Sequence, residues 1–161
     1  MFKLLKTTQS KVSLYSNILM GLTSVHHVYG AMVYHTPWRL HILFISVPVI
    51  IATLLLNRLV LISCKSLWTW MYGLLIFLAS VLLIGSYEGL YNHVLKNILY
   101  FGGLSAGGMA VLFPPGMYEL PNDVFFEITG MLQGIVVIPL AIHFMRWVRL
   151  LLAVHPAREA R

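Results

Sequence analysis

The sequence predicts an all-α integral membrane protein, a bundle of five hydrophobic helices, and three observations carry that reading. Only 10% of the 161 residues are charged while 59% are hydrophobic, against roughly 25% charged in soluble domains. Mean hydropathy is +0.83. The apolar runs are long and unbroken, whereas a membrane barrel needs ~10-residue stretches of alternating polarity. No soluble domain fits anywhere in the chain, so residues 1–161 are read as a single transmembrane helical domain.

Spans of ~20 apolar residues cross a bilayer, and the gaps between charges supply them. Helix 1 is expected over about 12–34, between Lys11 and Arg39. It follows Lys3, Lys6 and Lys11 as a signal core would, but it exceeds the ~7–15 residues of such a core and is read as a retained helix. Pro37 ends it, and Trp38 and Arg39 are expected to anchor at the interface. Helix 2 is expected over about 40–62, with Pro48 kinking it and Arg58 reaching for headgroups. Cys64, the sole cysteine, excludes an internal disulfide and is read as a small apolar residue near a helix end. Helix 3 is expected over about 67–87, opening on the aromatic belt of Trp68, Trp70 and Tyr72.

A polar cluster, Tyr87–Asn97, separates two runs of 22 uncharged residues, Ser66–Tyr87 and Asn97–Tyr118. Beyond it, segment 92–113 is expected as a fourth helix, either crossing fully or re-entrant. The Pro-rich stretch from Phe113 to Asp123 is a rigid acidic connection, with Asn122 or Asp123 capping helix 5, about 123–152. Small residues let helices approach closely in lipid. The pairs Gly85/Gly89, Gly103/Gly107 and Gly130/Gly134 are therefore expected at helix contacts.

The net charge of +6 does not point to nucleic acid. The cations sit in the tails and short loops, as topology signals do and as contacts with membrane lipids do. With five crossings the two sides carry nearly equal numbers of cations. With four, Arg39 and Lys96 alone face the side opposite the others. The positive-inside rule thus favours four crossings and hydropathy five. Either way the N-terminus is expected in the cytoplasm, in a bacterial-type inner membrane.

The residues that carry chemistry are His26 and His27, buried on helix 1, together with Glu88 and His93 in the polar cluster. Intramembrane ionisable groups are rare and mark ligands, relays or interhelical partners. Glu88 and His93 project ~140° apart on a continuous α-helix, so a shared site requires a break, which Gly89 could supply. Otherwise Glu88 shares a face with Tyr91 and Asn92, and pairs with Lys96 in a solvated turn. Imidazole and carboxylate suit a transition metal, with His35, His41 and Glu127 completing the candidate ligands. A b-type haem between histidines of facing helices is the special case. No two histidines stand at i, i+3 or i, i+4, so any site is assembled across helices. His143 and His155 lie toward the basic end and are read as interface and tail residues. No phosphate-binding loop or hydrolase signature is present.

The first functional reading is a non-catalytic accessory or structural subunit, partnered by other membrane subunits or by copies of itself. The alternative is a metal- or haem-binding oxidoreductase using the His/Glu cluster at one membrane face. The third is a small transporter or channel with segment 92–113 as its re-entrant element.

Overall fold

The computed structural model describes residues 2–62 and 66–154, all helical with short connections. Four long helices run α1 (Phe2–Val33), α2 (Pro37–Ile62), α3 (Ser66–Phe101) and α5 (Val124–Val154), and the short α4 spans Ala106–Leu112. Three stretches, Pro37–Ile62, Ser66–Phe101 and Val124–Ala153, are long and apolar enough to cross a membrane. Cys64, His155, Arg158 and Arg161 lie outside the described residues.

The chain runs up, down, up and down. One end is marked by Gln9 Nε2 donating to Asn57, by the Tyr72 hydroxyl donating to the Gln9 carbonyl, and by Tyr15 stacked on His143. The other end is marked by His26 against Thr129, Tyr34 against Asn122 and Arg39 against Glu119. Lys3, Lys6, Lys11, Arg58, Arg146 and Arg149 therefore gather at the first end. Glu88, Glu119, Asp123 and Glu127 gather at the second.

α1 is the hub, and its composition explains why. Its buried positions include Gln9, Val12, Ser16, Leu19, Thr23 and His26, a spacing of three and four that keeps one seam inward. Many of these are polar because they meet polar partners across helices. Ser16 and Ser80 share a hydrogen bond at 2.7 Å, and Ser24 and Ser46 share another at 2.7 Å. The outer faces are apolar instead, with Phe44, Trp70 and Val124 each more than two-thirds exposed. A polar seam inside an apolar shell reverses the soluble pattern and suits a lipid surround. Ser16→Ala is expected to cost about 1 kcal/mol, and the Ser16→Ala/Ser80→Ala pair no more than the single change. Unfolding in mixed micelles measures this; additive losses would count against a shared bond.

Three expectations are corrected here. The segments at about 67–87 and 92–113 do not form two helices, because α3 runs unbroken through the polar cluster to Phe101. The cluster needs no turn because Glu88 meets α1 and His93, Lys96 and Asn97 meet Glu127 of α5. Segment 92–113 then doubles back. α3 stops at Gly102, Gly103 takes φ +84°, and α4 returns until the Tyr91 hydroxyl meets the Leu112 carbonyl at 2.9 Å. Its two ends touch, so it adds no fifth long helix. α1 also starts well before residue 12, since Thr7, Thr8 and Ser10 donate to carbonyls four residues back.

The glycine expectation divides. Gly85 faces Val137, Gly89 lies against the Gly134 backbone, and Gly130 lies against the His93 ring, all at the α3/α5 contact. Gly103 and Gly107 face open space within this chain. Gly103 serves the turn, where a side chain would be strained.

Between Ile76 and Leu95, α3 is wound as a π-helix, and at its end the Lys96 N–H reaches back to the Tyr91 carbonyl, an i→i−5 bond. π-winding is rare and frequently accompanies functional sites. Here it decides which residues of the polar cluster face inward.

Candidate metal centre

On π-winding, residues five apart lie about one turn apart. Glu88 and His93 therefore share the inward face without any break at Gly89, and the ~140° separation of an α-helix does not apply. Gly89 supplies no break, and both Gly89 and Gly130 serve as the expected helix contacts. They let α5 come close enough for Glu127 to meet His93.

Glu88 Oε1 accepts from His27 Nε2 at 2.8 Å and from the Thr23 hydroxyl at 3.0 Å. Its second oxygen has no hydrogen bond to the described residues. One ligand atom each from His26, His27 and Glu88 lies within 4.8 Å of the others. His27 Nδ1 is buried with no partner among the described residues.

The tautomer of His26 follows from its neighbour. Thr129 Oγ1 spends its only proton on the carbonyl of Phe125 or Phe126, at 2.8 and 3.0 Å. It must then accept from His26 Nδ1, 3.0 Å away, which leaves His26 Nε2 with a free lone pair. Holding one ring nitrogen this way is how proteins ready the other for a metal. Phe126 stacks on the ring with centroids 4.0 Å apart.

His93 sits edge-on to His26 at 4.5 Å between centroids. Its Nδ1 donates to Glu127 Oε2 at 3.2 Å. Glu127 also accepts from Lys96 at 2.9 Å and from Asn97. Lys96 gives a second proton to the Glu119 carbonyl at 2.7 Å. The expected Glu88/Lys96 pair does not form, because Lys96 is turned toward α5 and the 113–123 connection.

Arg39 is also corrected. It is not a headgroup anchor but is buried, bonded to Thr36 at 2.8 Å and Glu119 at 3.1 Å, and seated over the rings of Tyr34, Trp38 and Phe126. His35 is exposed, in a left-handed conformation with φ 52°, and takes no part in the cluster. His41 donates to the Trp38 carbonyl at 2.6 Å, with its ring 6.2 Å from that of His27. Tyr91 stacks on Tyr87, and Asn92 Oδ1 is buried without a partner among the described residues. His143 lies at the basic end against Tyr15, away from the site.

These groups line a cavity of about 510 Å³ that His26, His27, Glu88, Asn92 and His93 share. The connection bearing Tyr118 and Glu119 covers it. Tyr118 bonds Tyr87 through the two hydroxyls at 2.6 Å. Burial, with this bond adding to it, pushes the Tyr118 phenol up to about 12, so it stays protonated.

Two expected ligands, His26 and Glu88, offer free donor atoms here, with His27 between them. A haem does not fit between His26 and His93, whose rings touch. Sequence reasoning did not assign Thr23, Phe126 or Thr129 to the site. For Thr129 the available signal was a hydroxyl on the helix that also carries Glu127 and Gly130. No family model, no curated protein and no solved structure matches the chain.

Proposed function

We propose that this chain is an integral membrane protein that binds a divalent transition metal through His26, His27 and Glu88, near one membrane face. The observation that carries the reading is the convergence of three ligand atoms within 4.8 Å, on two different helices. Two histidines and a carboxylate with no sulfur form a set suited to Zn, Fe, Mn or Cu, and leave coordination positions open to the cavity. The metal would displace the proton held between His27 and Glu88. Thr129 sets the donor atom of His26.

Arg39 and Lys96 offset Glu119 and Glu127, which leaves Glu88 as the carboxylate held only by a histidine and a hydroxyl. The convergence of His26, His27 and Glu88, which pairing between helices does not by itself require, gives the metal reading precedence over the accessory-subunit reading. An open metal position facing a cavity is compatible with oxidoreductase chemistry. The basic end, with both the N-terminal lysines and Arg146 and Arg149, faces the cytoplasm on this reading.

The test is elemental analysis of protein purified in mild detergent. About one equivalent of a first-row metal is expected, and Glu88→Ala or His27→Ala should remove it. Thr129→Val should weaken binding ~10–100-fold while leaving the fold intact. Wild-type protein that takes up none of Zn, Fe, Mn or Cu on titration would sink the proposal.

A further inference from the structure

Fixed charges around the cavity are balanced in pairs, with one exception. Arg39, Lys96, Glu88 and Glu119 all line the space. Arg39 meets Glu119 at 3.1 Å, and Lys96 meets Glu127 at 2.9 Å. Asp123 does not line it, being taken up by the Phe126 N–H and the Tyr29 hydroxyl. Glu88 is the exception. Its partners are a histidine and a threonine hydroxyl, so with neutral imidazoles the surroundings carry a single net negative charge.

A divalent cation held by His26, His27 and Glu88 reverses that sign. Imidazole ligates as the neutral ring, so two positive charges face one carboxylate and an excess of one remains. Protonation of His93 would only enlarge it. Glu119 and Glu127 cannot turn to the metal without stranding Arg39 or Lys96. The excess is also poorly hydrated, since His26 and His93 are 1% and 4% exposed and Phe126 stacks on the His26 ring. A buried charge without a counter-charge is costly.

We propose, resting on the metal reading above, that the site takes a small carboxylate as a further ligand, which brings its charge to zero. A carboxylate oxygen is an ordinary ligand of such metals. The cavity of about 510 Å³ far exceeds the ~30 Å³ of a single water, so an organic anion has room there. Ile45, Leu83 and Met117 line it as well. Such walls suit the carbon chain of a carboxylate and leave a hydroxide unsolvated.

The test is optical titration of the full chain in lipid nanodiscs, loaded with Co(II) alone in chloride-free buffer and then given sodium acetate. Acetate should change the cobalt d–d bands saturably, at one site. Glu119→Gln takes a negative charge from the cavity wall and should tighten acetate about three- to tenfold. Met117→Glu adds one at a position that is 64% exposed, where the fold is not at stake, and should weaken acetate by a similar factor. Binding of neutral imidazole to the same cobalt should be indifferent to both substitutions. Absence of cobalt bands would end the metal reading, and the carboxylate with it. Bands that acetate leaves unchanged, bands that respond to alkali alone, or an acetate affinity blind to both substitutions would overturn the carboxylate and leave the metal reading standing.

Discussion

Replacing Lys96 by Met is expected to destabilise the protein by about 3–5 kcal/mol, the cost of leaving a buried charge without its partner. Glu127 accepts hydrogen bonds from Lys96, His93 and Asn97, and only Lys96 brings a fixed positive charge. Both members of the pair are almost wholly buried, at 2% and 6% side-chain exposure. The loss should therefore arise from the stranded carboxylate and not from lost packing. The control is Lys96→Met combined with Glu127→Leu, which removes both charges and should recover most of the stability. Unfolding in mixed micelles reads both. A double variant as unstable as the single, or a neutral single, would contradict the account.

Gly89→Ala is the second large effect, expected to cost about 1–3 kcal/mol by overpacking. A methyl there would overlap the backbone of Gly134 and Gln133, and backbone cannot swing aside as a side-chain tip can. Pushing α5 outward would also carry Glu127 away from His93 and Thr129 away from His26. Reduced metal affinity should accompany the lost stability. Gly107→Ala is the matched comparison, with no atom near the added methyl and an expected change within ~0.5 kcal/mol. Equal effects at the two glycines would remove the packing argument.

Much of this arrangement is legible in the sequence, and the exceptions share a cause. The helical class, the helix end near Pro37, the buried histidines and the close-packing value of Gly85, Gly89, Gly130 and Gly134 follow from composition and spacing. The polarity of helix 1 is legible as well, though its meaning is not. Only the partners Ser80, Ser46, Asn57 and Glu88 explain why a helix so rich in hydroxyls lies innermost. The relation of Glu88 to His93 was misread because the period assumed was that of an α-helix. Nothing in Tyr87–Asn97 announces a wider winding. Arg39 was placed at headgroups and Lys96 in a solvated turn because charge near a span's end usually lies there. Their burial depends on Glu127 and Glu119, some 30 and 80 residues away in sequence, which no local pattern encodes. The continuity of α3 was hidden for the same reason. A polar stretch reads as a junction unless its partners on other helices are known.

The separation of charge along the bundle makes the molecule an electric dipole lying along its own axis. Six described lysines and arginines stand at one end, and four carboxylates at the other offset Arg39 and Lys96. Across an energised bilayer each elementary charge is worth ~2.3 kcal/mol per 100 mV. With the basic end on the negative side, the membrane potential itself favours the proposed orientation. Inverting the bundle would mean working against that field at both ends at once. In the proposed orientation a cation arriving at the acidic end would be drawn inward by that field.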